Sequence, residues 1–140
     1  MQASLDYSGK VIIVTGGGKG VGRGISERFL SLGATVFICG RTTPEKLPQV
    51  GENIAIFHSI DVRDVDAILS FVEHIAATHG RIDVLINNAG GAPAADAATV
   101  SPRFSESIIR LNLLAPLNFS QACNTVMQKQ ASGGAIVNIA

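Results

Sequence analysis

Residues 10–25 read Lys-Val-Ile-Ile-Val-Thr-Gly-Gly-Gly-Lys-Gly-Val-Gly-Arg-Gly-Ile, and this stretch decides the fold. Four consecutive apolar residues, Val11 to Val14, are mostly β-branched and predict a strand buried on both faces. The glycines after Thr15 end that strand, and an apolar residue then recurs every three or four positions, which predicts a helix. The residues with this spacing are Val21, Ile25, Phe29 and Leu32.

A strand, a glycine turn and a helix in this order favour an anion site. Unpaired backbone N–H groups and the positive end of the helix dipole point toward whatever lies over the turn, and a diphosphate fits there. Gly16 suits a tight turn with unusual φ, Gly20 the close approach of a ligand, and Gly22 close packing of the helix on the strand. Glycine-rich turns that bind no ligand have the same spacing, so that interpretation stays open here.

Composition excludes several functional classes. The chain has 140 residues, of which 46% are hydrophobic, and its 11 basic and 11 acidic residues cancel. This length and composition predict one domain. The chain lacks the clustered Lys and Arg that are typical of a nucleic-acid binder. Residues 1–6 lack the pattern of a leader and no apolar run is long enough to span a membrane, so we expect a cytoplasmic protein. The Cys and His spacing predicts neither a disulfide nor a metal site.

Strands and helices alternate along the whole sequence, which predicts an α/β fold. We expect a Rossmann-type, doubly wound parallel sheet with strand order 3-2-1-4-5, truncated after strand 5, and ligands at the carboxyl ends near strands 1 and 4. The predicted strands after the first are 35–39, 54–60, 82–86 and 135–139. The predicted helices after the first are a short one between Pro44 and Pro48, one over 65–79 and a long one over 108–129.

Five motifs follow one another along this pattern. They are Thr15-Gly-x-x-x-Gly-x-Gly22, Asp61-Val62, Asn87-Asn-Ala-Gly90, Asn112 and Gly134-Ala-Ile-Val-Asn-Ile139. In order and spacing they resemble the classical short-chain dehydrogenase/reductase family over nearly the whole chain. The resemblance implies a nicotinamide dinucleotide site formed by Gly16, Gly18, Lys19, Gly20, Val21, Gly22, Arg41, Thr42, Asp61, Val62, Asn88, Ala89 and Gly90.

The resemblance also implies individual roles within that site. Asp61 would accept a hydrogen bond from the adenine amino group, with the Val62 backbone adding a contact, although Asp61 also fits as a helix N-cap. Asn88, Ala89 and Gly90 would lie under the adenosine ribose, where a side chain in place of Gly90 would collide with the cofactor.

Asn112 matches the catalytic asparagine of the family. Pro116 lies four residues later and has no N–H, so the Asn112 carbonyl loses its donor in an α-helix. In the family this carbonyl holds a water that links the active-site lysine to solvent. An ordinary proline kink is the alternative.

The end of the second strand predicts which cofactor is preferred. An NAD enzyme of this fold usually has an acid there, whereas this chain has Arg41, a residue that suits a 2′-phosphate. Lys19 adds a cation and Thr42 a hydroxyl. We therefore expect NADP(H) to be preferred, with NAD(H) possible, although Arg41 also fits as a solvated turn residue.

The family's proton-donating residues are missing from this chain. The resemblance places the catalytic serine directly after Ala140 and the Tyr-x-x-x-Lys beyond it, and Tyr7 precedes the first strand, on the opposite side from the cofactor. We expect a short-chain oxidoreductase acting on a small carbonyl or alcohol, inactive as these 140 residues and a homodimer or homotetramer at full length, where its long helix meets a partner subunit. A fragment and a natural truncation both fit. So does a non-catalytic NADP(H)-binding sensor or interaction module.

Overall fold

A five-stranded parallel sheet forms the centre of the computed structural model, which describes residues 4–140. From one edge to the other its strands are Ile56–Ser59, Thr35–Gly40, Val11–Thr15, Val84–Asn87 and Ala135–Asn138, and every neighbouring pair is parallel. This is the predicted order 3-2-1-4-5, so the Rossmann-type fold is confirmed. The first three residues of the N-terminal stretch lie outside the described part. The strands are β1 (Val11–Thr15), β2 (Thr35–Gly40), β3 (Gln49–Val50), β4 (Asn53–Ile54), β5 (Ile56–Ser59), β6 (Val84–Asn87) and β7 (Ala135–Asn138).

The described residues form four α-helices: α1 (Gly20–Ser31), α2 (Val65–His79), α3 (Pro102–Ile109) and α4 (Ala115–Met127). Of these, α1 packs on one face of the sheet and α2 and α4 on the other, whereas α3 has no buried residue. A π-helical segment, Arg110–Leu114, joins α3 to α4. The predicted long helix therefore starts earlier than expected. The Ser101 hydroxyl caps it by accepting a hydrogen bond from the Phe104 N–H at 3.1 Å.

The residues of β1 alternate between two hydrophobic cores. Ile12 and Val14 face the core that includes Leu30 of α1, whereas Val11 and Ile13 face the core built with α2 and α4. Because both faces of β1 are covered, its apolar run lacks the polar alternation of a half-exposed strand.

The predicted helix is confirmed as α1, and Ile25 and Phe29 of its apolar pattern pack against the core. Val21 is 67% exposed, while Gly22, Ser26 and Leu30 are the buried positions. The Ser26 hydroxyl donates to the carbonyls of Gly17 and Gly22 at 3.0 and 2.9 Å, so a polar residue occupies a position that the hydrophobic pattern passed over.

Residues 44–54 also differ from the prediction. No helix forms between Pro44 and Pro48, and a small antiparallel hairpin of β3 and β4 follows instead. The Asn53 amide donates to the carbonyls of Leu30 and Ala34 at 3.1 and 3.0 Å, which ties the hairpin to the end of α1. The predicted strand 54–60 is consequently divided between β4 and β5.

Asp83 fixes the start of β1 beside β6. Its buried carboxylate accepts from the Val11 N–H at 2.8 Å and pairs with Arg81 at 2.6 Å. Burial opposes ionisation of Asp83, but Arg81 and the Val11 N–H together keep its pKa below the usual value.

Apolar side chains on the π-helical segment and its neighbours are open to solvent. Ile109, Leu113 and Leu117 are 50%, 63% and 49% exposed, whereas Phe119 faces the core at 1%. β7 is an edge strand of the sheet, with all four residues exposed. Within residues 4–140 no helix combines the length and apolar composition needed to cross a membrane.

Candidate functional site

The glycine turn after β1 has the geometry that its sequence predicts. Gly16 has φ of 63°, in the left-handed region, and a Cβ on Gly22 would overlap the Gly16 carbonyl and the Asn88 amide. These two structural roles are confirmed. Gly20 has φ of 55°, and no heavy atom lies within 4 Å of where its Cβ would be. The turn is therefore open on the side of Gly20, where a ligand has room.

Thr15 and Asn88 fasten β6 to this turn. The buried Thr15 hydroxyl accepts hydrogen bonds from the N–H groups of Asn88 and Ala89 at 3.0 and 2.9 Å. In return, the Asn88 amide donates to the carbonyls of Thr15 and Gly16 at 3.1 and 3.2 Å. The Asn88 side chain thus holds the protein backbone, and sequence reasoning missed the part played by Thr15.

Two neighbouring clefts open at the carboxyl ends of the strands. The larger, about 780 Å³, lies between the glycine turn and the segment after β2. The smaller, about 210 Å³, continues past the ends of β5 and β6. Together they collect most of the predicted cofactor residues: Gly16, Gly18, Lys19, Arg41, Thr42, Asp61, Val62, Ala89 and Gly90. Gly20, Val21, Gly22 and Asn88 lie outside the walls of both clefts.

Positive charge is concentrated at the larger cleft. Lys19 and Arg41 line it and are both exposed, as is Thr42. Among residues 4–140 neither cation forms a salt bridge with an acidic side chain. Glu45 lines the same cleft, and Arg41 is near enough to Asp61 to lower its pKa. An anion entering this cleft would therefore meet two cations that form no direct ion pair with a carboxylate.

Asp61 lies in the smaller cleft and is held by Arg63. The guanidinium binds both carboxylate oxygens, with Nε to Oδ1 at 3.0 Å and Nη2 to Oδ2 at 2.8 Å. These hydrogen bonds lower the pKa of Asp61 to about 2, with a smaller contribution from the charge of Arg41. Arg63 also donates to the Ser107 hydroxyl on α3 at 3.0 Å. The sequence showed Asp61 but gave no signal for this fixed orientation beyond the Asp-x-Arg spacing.

The alternative role of Asp61 as a helix cap is wrong. Asp64 caps α2, because its carboxylate accepts from the Ala67 N–H at 3.2 Å. Asp61 instead accepts from the Arg63 N–H at 3.0 Å, in the turn before the helix.

Asn112 lies in the π-helical segment, and its side chain clamps the loop after β6. The amide oxygen accepts from the Gly91 N–H, and the amide nitrogen donates to the Gly91 carbonyl, both at 2.8 Å. An i→i+5 hydrogen bond joins the Ala115 N–H to the Arg110 carbonyl. The turn before Pro116 therefore contains one residue more than an α-helical turn. A proline kink alone would not add this residue. Such π turns are frequent at functional sites.

Gly90 is constrained by the protein itself. A Cβ at this position would lie 2.7 Å from the Asn112 amide oxygen. The sequence predicted that a side chain at Gly90 would collide with the cofactor, but the Asn112 amide oxygen already leaves no room for one.

Tyr7 precedes the amino end of β1, as expected, whereas the two clefts open at the carboxyl ends of the strands. Its backbone N–H donates to the Leu32 carbonyl, and its ring packs against Phe29 near the end of α1.

No group of three or more His, Cys, Asp or Glu side chains within the described residues could hold a metal ion.

Comparison with known proteins supplies the family. A sequence profile described as short chain dehydrogenase matches residues 10–140. The chain belongs to the short-chain dehydrogenase family. A short-chain dehydrogenase/reductase of Colletotrichum higginsianum is 33% identical over 98% of this chain and 54% of its own length. An L-fucose dehydrogenase of Bos taurus is 33% identical over 99% and 52%. The chain thus spans about half the length of the curated short-chain dehydrogenases it matches.

Solved structures of short-chain dehydrogenases agree with the fold. One from Bacillus anthracis superposes with a TM-score of 0.84 at 36% identity, covering 93% of this chain and 56% of that one. A metagenomic short-chain oxidoreductase in complex with NADP has a TM-score of 0.84 at 33% identity, covering 99% and 64%. The described residues fit a dinucleotide, because backbone of the glycine turn, at Gly16, and the cations Lys19 and Arg41 line both neighbouring clefts.

Proposed function

We propose that this chain is the nucleotide-binding part of an oxidoreductase that prefers NADP(H) and acts on a small carbonyl or alcohol. The observation that carries the preference is the cleft after β2, where Lys19, Arg41 and Thr42 lie together and no acidic residue ends the strand. A guanidinium matches phosphate oxygens, whereas a carboxylate at this position would repel them. The metagenomic relative in complex with NADP supports the same preference.

The proposed cofactor contacts extend along both clefts and onto the first turn of α1, which follows the cleft residues Gly18 and Lys19 in the chain. The first turn of α1, Gly20 to Gly22, would face the diphosphate with its backbone N–H groups. Asp61, whose carboxylate is ionised and held by Arg63, would accept a hydrogen bond from the adenine amino group, next to the Val62 backbone. Ala89 and Gly90 would line the ribose.

Bound there, the nicotinamide supplies hydride transfer, and the protein's part is to position it. We propose that Asn112 contributes its backbone carbonyl to the proton relay, because its side chain is already bound to Gly91 and Pro116 offers no N–H. Exposed Ile109, Leu113 and Leu117 support a contact between subunits of a homodimer or homotetramer.

Reversal of cofactor preference tests this proposal. We expect Arg41→Asp to weaken NADP(H) binding and to favour NAD(H), because the substitution removes one charge-assisted contact and adds repulsion. Losing the contact alone is worth about 1.5–3 kcal/mol, or roughly 10–150-fold in affinity. Both cofactors are titrated calorimetrically at fixed ionic strength.

Arg28→Asp is the matched control. Arg28 is an exposed residue in the last turn of α1, so the control makes the same charge change away from the cleft. If Arg28→Asp altered the ratio of the two affinities as much as Arg41→Asp did, the effect would be one of net charge and the assignment of Arg41 would be wrong.

A further inference from the structure

Arg23 joins two segments of the chain that border the larger cleft. Its Nη1 donates to the Gly18 carbonyl at 3.1 Å and to the Lys46 carbonyl at 2.8 Å. Its Nη2 reaches the Leu47 carbonyl at 3.4 Å, and its Nε pairs with Glu27 one turn along α1 at 3.0 Å. One guanidinium thus connects the glycine turn to residues 44–47, which we call the outer segment.

The outer segment lies close against the glycine turn. A Cβ on Gly18 would be 2.5 Å from the Cγ of Pro44, so the two stretches of chain touch there. The residues before this contact, Arg41 to Thr43, are exposed. Only three residues separate Thr42 from Lys46, so the position of Lys46 limits where Thr42 and Arg41 can lie.

We propose that Arg23 is a positioning residue for recognition of the 2′-phosphate, because it holds the outer segment and thereby fixes the wall of the cleft that carries Arg41 and Thr42. Arg23 itself does not touch the ligand in this proposal. Exposed side chains lose conformational freedom on binding, and a wall fixed beforehand reduces that loss. The inference rests on the proposed NADP(H) preference and adds a residue that the resemblance does not assign.

The first readout is the affinity for two nucleotides that differ only by the phosphate in question. Adenosine 2′,5′-bisphosphate and adenosine 5′-monophosphate are titrated against the wild type and Arg23→Gln. We expect the bisphosphate affinity to fall at least about fivefold, while the monophosphate affinity changes less than about twofold. The Arg23 side chain is only partly buried, and glutamine leaves no charge without a partner inside the protein, so the variant is expected to fold.

Two further variants separate hydrogen bonding from charge. Arg23→Lys keeps the charge but has one nitrogen in place of three. It cannot donate to Leu47 and Glu27 while it also holds the carbonyls that Nη1 binds, so we expect it to lose bisphosphate affinity as well. Arg28→Gln removes a charge from the exposed far end of α1 and is expected to bind like the wild type. Full recovery in Arg23→Lys would overturn the inference.

The second readout is cleavage by trypsin after Lys46, measured by mass spectrometry without nucleotide. The carbonyl of that peptide bond accepts a hydrogen bond from Arg23, so cleavage should be at least about fivefold faster in Arg23→Gln than in Arg28→Gln. An unchanged cleavage rate, or equal losses of affinity for both nucleotides, would overturn the inference. If the wild type bound both nucleotides equally, the NADP(H) preference would be wrong, and the cleavage rate would still decide whether Arg23 holds the segment.

Discussion

Replacing Thr15 by Val should destabilise the protein more than any other change of similar size at the glycine turn. The Thr15 side chain is 2% exposed, and its hydroxyl accepts from two backbone N–H groups, those of Asn88 and Ala89. Valine has nearly the same shape but no acceptor, so both N–H groups, which belong to half-buried residues, would lose their partner. Each such group costs about 1–3 kcal/mol, so the two together give a loss of about 2–6 kcal/mol in the free energy of unfolding.

Urea denaturation of the protein, followed by circular dichroism, measures this loss. Thr15→Ser is the control, because serine keeps the hydroxyl and removes only a methyl group, and we expect it to lose about 1 kcal/mol. Since residues 88 and 89 adjoin the proposed ribose site, Thr15→Val should also weaken NADP(H) binding. Equal stability losses in the Val and Ser variants would refute the account of this hydroxyl.

Further predictions concern Gly90, Asn112 and Asp83. Gly90→Ala should lower the melting temperature, and less so in an Asn112→Ala background, because the added methyl collides with the Asn112 amide oxygen. A double-mutant cycle should give a coupling of about 0.5–3 kcal/mol, and strict additivity would contradict the contact. Asp83→Asn should cost about 1.5–3 kcal/mol at pH 7 through its weakened bonds to Arg81 and Val11. Because the folded pKa of Asp83 lies below the unfolded one, its stabilisation is complete above pH about 4 and is lost as pH falls through the folded pKa. The urea midpoint should therefore fall less steeply on acidification in Asp83→Asn than in the wild type, and parallel curves would argue against this linkage.

The sequence was sufficient for the order of the sheet and for the glycine turn. Apolar runs ended by glycine define strands that are covered on both faces, and alternation with helices leaves few ways to connect them. Gly16 needs its left-handed φ and Gly22 its close contact for reasons that act locally, so their structural roles follow from position alone.

Contacts between segments that are distant in the chain could not be predicted from the sequence. Ser26 is buried on α1 because the Gly17 carbonyl needs a donor, which a hydrophobic pattern does not register. Asn53 ties the β3–β4 hairpin to the end of α1. The sequence predicted a short helix between Pro44 and Pro48, but the chain there is irregular and leads into this hairpin. The bond of Arg63 to Asp61 spans only two residues, but its extension to Ser107 depends on how α3 packs.

The most direct test of the central claim compares the two dinucleotides on the wild-type protein. NADP+ and NAD+ are titrated calorimetrically at the same pH and ionic strength, so that only the 2′-phosphate differs. The cations Lys19 and Arg41, which form no salt bridge within residues 4–140, predict that NADP+ binds roughly 10–150-fold more tightly. Equal affinities for NADP+ and NAD+ would contradict the account.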